Sequence, residues 1–289
     1  MSQVPETAFY CQICADVQVQ RLMYMKNGIP IFRCGGCGVG RARIEGFEPE
    51  AHYTEAYFSG GFKESYVDYL GSEDVLRREF RRTVRYLRRI GPAEGKCLEI
   101  GCAYGFFLQE ARPYYEVYGV EMSEAAVRHC WTTGLPNVRI GGLTQDLLRE
   151  IGMLDVVVML DVIEHIDDLE GLIGLVGASL RPGGIFLSTT GDWSSLLARL
   201  TGASWRLIAP PLHIWYLTSA SLDTLMRRNG LTRIKLSYPW KIVPIDVIVK
   251  HALGMLDWWP PLRTPHLMRN LGLPANLFDS MRLVYRKTS

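Results

Sequence analysis

Hydrophobic and polar residues follow two different rhythms along the chain. Between residues 96 and 238, short apolar runs that end at a glycine or an acid are each followed by a stretch of helical period. Such a repeat is typical of buried parallel strands joined by crossover helices. The pattern therefore predicts an α/β fold with a doubly wound, mostly parallel sheet. Apolar positions also predict a helix over about 74–90 and a final strand over about 278–287.

The most informative segment reads KCLEIGCAYG and covers residues 96–105. Its apolar run stops at Gly101 and Gly105, and the helical stretch FFLQEA follows. This order predicts a buried strand, a tight turn and the open N-terminus of a helix. Glycine lets the backbone approach a ligand closely, and the unpaired N–H groups of a helix N-terminus favour a carboxylate or phosphate. The segment is therefore a candidate ligand-binding loop.

A second apolar run, 117–120, ends at Glu121. In nucleotide-binding βαβ units an acid about 20 residues beyond the first glycine binds the ribose diol. A dinucleotide fingerprint would also need glycine at the positions that Ala103 and Phe106 occupy. The spacing therefore favours a nucleoside ligand other than a dinucleotide.

Two later segments continue the alternation. Residues 154–166, LDVVVMLDVIEHI, predict a strand that ends near Leu160–Asp161, where a helix could begin. Residues 180–190, LRPGGIFLSTT, predict a helix end, a Pro-Gly-Gly turn and another strand.

Four of the seven cysteines have the spacing of a metal site. They form C-x2-C-x19-C-x2-C, which is typical of four-thiolate zinc. Asn27-Gly28 predicts a hairpin turn between β segments at 19–25 and 29–33. The alternative is two disulfides, which a cytosolic chain would not retain. A closed shell of four sulfurs leaves no position for water, so we expect a structural ion held by Cys11, Cys14, Cys34 and Cys37.

Composition excludes little. The chain has 289 residues, 48% hydrophobic content and a formal net charge of +2, which points to no particular partner. No apolar run of membrane-spanning length and no signal segment is visible, so we expect a cytoplasmic protein without a transmembrane segment. Its oligomeric state is left open.

Taken together, these motifs resemble a known family. Glu99 followed by Gly101-x-Ala103-x-Gly105 is similar to motif I of the class I S-adenosylmethionine-dependent methyltransferases, with alanine in place of the usual central glycine. DVIEHI and RPGG resemble later motifs of that family. The cysteines, the aromatic connector and the segment W…PPLHIWYLT at 205–218 resemble its bacterial branch with an N-terminal zinc ribbon, which often modifies sugars or secondary metabolites.

The resemblance implies a Rossmann-like sheet of seven strands with an antiparallel last strand, and S-adenosylmethionine as methyl donor. In this family the loop holds the methionine part and the acid holds the ribose. The residues expected to bind the donor are Glu99, Gly101, Cys102, Ala103, Tyr104, Gly105, Glu121, Met122, Leu143, Leu160 and Asp161.

Three residues are candidates for catalysis. The resemblance implies a general base at Glu164 and His165, and an imidazole with a pKa near 6.5 suits proton removal at neutral pH. His213 lies among aromatic residues that could close the acceptor pocket. The alternatives are that Glu164 and His165 cap a helix and that His213 only packs a loop.

The predicted domains are a zinc ribbon at 1–45, an aromatic connector and helix at 46–90, and a methyltransferase domain at 91–289 with an insertion at 239–277. Tyrosines of the connector could form a lid, or pack between ribbon and core. The arginine-rich face of the helix is expected to be solvated. The stretch 243–259 is interpreted as a lid over the acceptor rather than a membrane-surface helix.

The sequence thus predicts methyl transfer to an oxygen or carbon atom of a small molecule, such as a sugar, nucleotide sugar or secondary metabolite. The alternative is an RNA base methyltransferase that docks RNA on its ribbon, although the ribbon has no dense stripe of cations. A third possibility is a non-catalytic protein of the same fold. We expect no nucleic-acid partner and no membrane contact.

Overall fold

The structure is a computed structural model that describes residues 6–44, 58, 69–244 and 272–288. The strands of the described chain are β1 (Glu6–Cys11), β2 (Asp16–Lys26), β3 (Ile29–Cys34), β4 (Gly40–Ala42), β5 (Gly95–Ile100), β6 (Tyr115–Glu121), β7 (Val138–Ile140), β8 (Leu154–Leu160), β9 (Leu180–Gly191), β10 (Trp215–Tyr216), β11 (Leu231–Ser237), β12 (Lys241–Pro244), β13 (Gly272–Ala275) and β14 (Ser280–Lys287). The α-helices are α1 (Glu73–Ile90), α2 (Phe106–Ala111), α3 (Glu124–Thr132), α4 (Gln145–Ile151), α5 (Leu169–Ser179), α6 (Leu196–Thr201) and α7 (Ser219–Arg228).

The central sheet has seven strands in the order β11-β14-β9-β8-β5-β6-β7. Strands β5 to β9 pair in parallel, and β14 pairs antiparallel with both β9 and β11. The order reverses beside β5, so a crevice forms where crossovers leave in opposite directions. The predicted doubly wound sheet with an antiparallel last strand is confirmed.

Both faces of this sheet are covered. Along β8, Val156 and Val158 pack into one hydrophobic cluster, while Val157 and Met159 pack into the cluster on the opposite face. Because successive side chains point to opposite faces, a strand buried on both sides needs an unbroken apolar run. The run in LDVVVML is therefore the signature of the central position.

Helix α1 confirms the helix predicted over 74–90 and buries its apolar stripe. Five of the described helices begin at a Ser, Thr or Asp whose side chain accepts a hydrogen bond from the backbone N–H three positions on; these caps are Ser123, Thr144, Asp168, Ser195 and Thr218. Helix α2 instead begins after Gly105, which has φ of 75°.

Two sequence predictions are wrong in detail. No α-helix begins at Leu160–Asp161: a 3₁₀ turn forms at Ile163–His165, and α5 begins only after its cap Asp168. The interpretation of Glu164 and His165 as a capping pair is therefore also wrong. The Pro-Gly-Gly segment is not a separate turn but an irregularity within β9, where the register against β8 shifts. Proline has no N–H to donate, which explains the interruption.

The N-terminal strands form a second sheet in the order β1-β2-β3-β4-β10. Asn27 and Gly28 have φ of 51° and 75°, so the predicted hairpin turn is confirmed. The fifth strand comes from far along the chain: Trp215 of β10 lies opposite Arg41 of β4. The ribbon is therefore joined to the α/β part through a shared sheet.

Strands β12 and β13 pair with each other within the segment predicted as an insertion. The proposed lid helix at 243–259 lies largely outside the described residues, as do the connector tyrosines Tyr53, Tyr57 and Tyr66. Among the described helices, none is both long and apolar enough to cross a membrane.

Candidate functional site

A cavity of about 310 Å³ opens at the carboxyl ends of β5, β6 and β8. Its volume is at the lower end of the range for small-molecule sites. Residues predicted to bind the donor that line it are Gly101, Ala103, Glu121, Met122, Leu160 and Asp161. Those that do not line it are Glu99, Cys102, Tyr104, Gly105 and Leu143. The cavity therefore lies at the reversal of strand order, where ligands of such sheets bind.

The loop after β5 has an unusual backbone. Gly101, Ala103 and Gly105 all have positive φ, of 72°, 46° and 75°. A Cβ on Gly101 would lie 2.6 Å from Cγ2 of Val162, so only glycine fits there. Alanine can adopt the left-handed conformation at some cost, which is how Ala103 replaces the usual glycine.

Glu121 is bonded to this loop. Its Oε2 accepts a hydrogen bond from Ala103 N at 2.9 Å, and its Oε1 accepts one from Ser123 N at 2.9 Å. A carboxylate has about four acceptor positions, so each oxygen retains one for a ligand hydroxyl. Burial raises the pKa of Glu121, and the backbone N–H groups of Ser123, Ala103 and Met122 oppose this shift.

Glu99 lies at the end of β5 and is 3% exposed. Its Oε2 is buried without a hydrogen-bond partner, and burial raises the pKa of its carboxyl well above the usual range. A buried orphan oxygen costs free energy unless a ligand or water satisfies it. The loop and both acids thus fit a nucleoside ligand with a cationic amino group.

Aromatic rings from the connector cover part of the cavity wall. Phe58 and Tyr69 both line the cavity, and their ring centroids are 5.5 Å apart. Tyr69 stacks on Phe106 with an interplanar angle of 10°, and Phe58 contacts Tyr104 edge to face at 5.2 Å. The described part of the connector therefore packs on the loop that follows β5.

The three candidate catalytic residues lie together. His165 lines the cavity, whereas Glu164 and His213 lie behind it. The two imidazole centroids are 4.8 Å apart, and the three groups bring potential ligand atoms within 4.8 Å of one another. The sequence did not show that residues separated by almost fifty positions would meet.

Both imidazoles donate to backbone carbonyl groups. Nδ1 of His165 donates to the carbonyl oxygen of Leu212 at 2.8 Å, and Nδ1 of His213 donates to that of Leu207 at 2.9 Å. The ring of His165 also lies in hydrogen-bond contact with the backbone of Asp161. Burial lowers the pKa of His165 and of His213 to about 4, so both rings are neutral at pH 7.

Glu164 has the opposite shift. Burial raises the pKa of its carboxyl to about 7, and its Oε2 has no hydrogen-bond partner. A buried acid that titrates near neutral pH, next to two neutral imidazoles, is typical of a site that moves protons.

Sequence reasoning missed several residues of this site. Lys241 of β12 places its Nζ 2.6 Å from Oδ2 of Asp161, and Oδ1 of Asp161 accepts a hydrogen bond from Thr189. Burial acts to raise the pKa of Asp161, but Lys241 and Thr189 lower it overall. Gly141 and Gly142 also line the cavity. A Gly-Gly pair directly after the β-branched residues of Val138-Arg139-Ile140 was the available signal for them.

The four N-terminal cysteines form a compact cluster. Cys11 Sγ lies 3.8 Å from Cys37 Sγ, and Cys14 Sγ lies 3.8 Å from Cys34 Sγ. A tetrahedral zinc ion with Zn–S bonds of about 2.3 Å requires sulfurs about 3.8 Å apart. A disulfide would need them about 2 Å apart. The donor set therefore fits zinc.

Comparison with known proteins agrees with this geometry. Residues 73–236 match a protein family described as a methyltransferase domain. The ubiquinone biosynthesis O-methyltransferase of Methylobacterium nodulans is 30% identical over 174 residues, which are 56% of this chain and 68% of that protein. Its counterpart in Cupriavidus pinatubonensis is 28% identical over 159 residues, 50% of this chain and 64% of that protein. The chain thus spans about two thirds of their length.

A solved structure shares the fold. The S-adenosylmethionine-dependent methyltransferase of Archaeoglobus fulgidus superposes with a TM-score of 0.50 at 17% identity, over 73% of this chain and 94% of that one. The sheet order, the loop after β5 and the domain match lead to one assignment. The chain belongs to the class I S-adenosylmethionine-dependent methyltransferases and is an enzyme of that family.

Proposed function

We propose that this methyltransferase acts on a hydroxyl oxygen of a small molecule. The observation that carries the proposal is the imidazole of His165, which lies on the wall of the donor cavity and is neutral at pH 7 because burial lowers its pKa to about 4. The relatives named above are O-methyltransferases of ubiquinone biosynthesis, which favours oxygen over carbon as acceptor. The described residues of the site give no support to the RNA alternative.

The loop and two acids would hold the donor. Glu121 receives the ribose diol with the acceptor positions that its two backbone N–H bonds leave open. The backbone of Gly101 and Ala103 approaches the methionine part. Glu99 does not line the cavity, and its buried Oε2, which has no hydrogen-bond partner among the described residues, supports its role as the partner of the amino group. Leu160 and Met122, which line the cavity, supply apolar contact. Bound S-adenosylmethionine supplies a methyl group from a positively charged sulfur.

The chain's own groups then handle one proton. Methyl transfer to a hydroxyl oxygen releases one proton, and the neutral imidazole of His165 would accept it from the acceptor hydroxyl. The buried carboxylate of Glu164 stabilises the resulting imidazolium, and His213 lies close enough to share the charge. Positioning supplies most of the rate, because methyl transfer needs an in-line approach.

We further propose that Cys11, Cys14, Cys34 and Cys37 hold structural zinc. The spacing of their sulfurs supports this assignment. The ribbon at 1–45 and the connector at 46–90 then form units that precede the methyltransferase domain at 91–289. Phe58 and Tyr69 support a lid role for the connector, because both line the donor cavity.

Two measurements test the function. Calorimetry with S-adenosylhomocysteine should show one binding site per chain. Incubation with labelled S-adenosylmethionine and a panel of phenols, sugars and nucleotide sugars should then yield a methyl ether, and His165→Gln should lower kcat at least a hundredfold while the affinity for S-adenosylhomocysteine stays within threefold. A product methylated at carbon, or His165→Gln with unchanged kcat, would contradict the proposal.

A further inference from the structure

A second cavity, of about 330 Å³, lies where the ribbon sheet meets β10. Aromatic rings and cations dominate its wall, and the residues that matter here are Phe9, Gln20, Phe32, Arg41, Arg43 and Trp215. Asp167 lines both this cavity and the donor cavity. The two cavities are therefore neighbours at Asp167.

Two guanidinium groups lie against aromatic rings of this wall. The Arg41 guanidinium lies 4.5 Å from the centroid of Trp215, and that of Arg43 lies 4.6 Å from the centroid of Phe9. Arg41 also pairs with Asp167 at 2.9 Å, whereas Arg43 forms no ion pair with any described residue. A guanidinium has five N–H donors, so most donors of this pair are available to a ligand. Arginine held on a ring is suited to carboxylate and phosphate.

Gln20 adds an amide to the wall beside the two arginines. This glutamine is only 5% exposed, lines the cavity and makes no side-chain hydrogen bond to the described part of the chain. An amide has both donors and an acceptor, so its NH₂ group is available to an anion in the cavity.

The backbone connects this cavity to the candidate base. The amide of Ile214, just before β10, donates to the carbonyl oxygen of Glu164 at 3.0 Å, and Nε1 of Trp215 donates to that of Ile166 at 2.7 Å. The same short segment thus forms a wall of the second cavity and holds the turn that carries His165. A ligand that spans both cavities would be fixed relative to that imidazole.

We propose that the second cavity binds the anionic end of the methyl acceptor, a carboxylate or phosphate carried on a planar or apolar body. Arg43, Arg41 and the amide of Gln20 bind the anion, and Phe9 and Trp215 contact the body. The hydroxyl end passes Asp167 towards His165. This inference rests on the proposed function for the identity of the ligand as acceptor.

The competing role is structural. Cys11 lines the same cavity, and four zinc-bound thiolates carry a net negative charge that the two arginines would balance. In that case the arginines stabilise the ribbon, and no anion binds. Calorimetry separates the two roles, because only the binding role gives a measurable affinity for an anion.

The test uses the full chain with and without S-adenosylhomocysteine, and titrates it with benzoate, phenyl phosphate and uncharged phenol. At least one anionic probe should bind ten or more times as tightly as phenol, and the tighter anion identifies carboxylate or phosphate. Arg43→Gln should weaken that probe at least tenfold and Gln20→Leu about fivefold. The control Arg33→Gln should change nothing, because Arg33 stacks on Trp193 at 5.9 Å in the same ribbon but does not line the cavity.

Two results with the unmodified chain would overturn the proposal. In the first, phenol binds as tightly as both anions. In the second, none of the three probes binds. Equal losses in Arg43→Gln and Arg33→Gln would also overturn it, since they indicate a general change of the ribbon. The proposed function fails separately: it fails if S-adenosylhomocysteine does not bind, whatever the anionic probes do.

Discussion

Replacement of Glu121 by glutamine is the most direct test of the donor site. In the structure each carboxylate oxygen accepts one backbone N–H at 2.9 Å, from Ala103 and from Ser123. A glutamine can offer one oxygen only, so its NH₂ group would face a backbone donor. The variant therefore loses one bond to the chain and the two charge-assisted bonds proposed for the ribose diol.

The expected magnitude follows from these bonds. A hydrogen bond to a charged group contributes about 1.5–3 kcal/mol. Loss of two such bonds, partly offset by the remaining amide oxygen, should cost about 3 kcal/mol of binding, which is about a hundredfold in Kd. The unliganded protein should lose little stability, because the buried carboxylate already costs desolvation, as its raised pKa indicates.

Calorimetry with S-adenosylhomocysteine measures the change in Kd, and thermal unfolding without ligand tests whether the variant folds. Glu124→Gln is the matched control: Glu124 lies three residues on, is exposed, and pairs only with Arg128 at 2.7 Å among the described residues. It should leave Kd unchanged. A folded Glu121→Gln protein whose Kd rises less than threefold would refute the ribose assignment.

Three further predictions address other parts of the chain. Metal analysis should find about one zinc per chain, and Cys37→Ser should abolish zinc binding. The variant should also unfold several degrees lower, because the ribbon shares its sheet with β10. A wild-type protein that contains no zinc and is as stable as Cys37→Ser would contradict this. Lys241→Met leaves Asp161 without its cation. Unfolding in urea should therefore show a free energy of unfolding lower by about 1–2 kcal/mol for this partly exposed pair. Replacement of the exposed Lys235 by methionine should leave the free energy of unfolding unchanged. Because the folded-state pKa of Glu164 is about 7 and lies above its unfolded value, this group stabilises the protein fully below pH 4.5, and that contribution is lost as pH rises through 7. Glu164→Gln should therefore abolish a decrease of about 3 kcal/mol in unfolding free energy between pH 4.5 and pH 8; an identical pH profile in both proteins would show that the carboxyl is not buried as described.

Local signals in the sequence were sufficient for most of the fold. The unbroken apolar run of β8 indicated a strand covered on both faces, and the glycines after β5 indicated the turn into α2. Asn27-Gly28 fixed the ribbon hairpin, because both residues tolerate positive φ. These features depend only on neighbours within one turn or one strand.

The first residue of the helix that follows β8 could not be predicted from the sequence. The chain after β8 contains Asp161 and Asp168, and either could cap a helix. Asp161 instead pairs with Lys241, a residue of β12, and it adopts φ of 55°. Asp167 pairs with Arg41 of β4, and Asp168 accepts the N–H of Gly171 and caps α5. Contacts with residues far along the chain thus engage two of the three aspartates, and these contacts have no local signal in the sequence.

The sequence by itself determined the family, the sheet, the loop for the donor and the cysteine spacing, since each of these is encoded in contiguous residues. The tertiary structure alone brought His213 beside His165, joined β10 to the ribbon, and enclosed Gln20 with two arginines. Such contacts depend on how separate elements pack, because side chains far apart in the chain have no common period or spacing that could reveal that they meet.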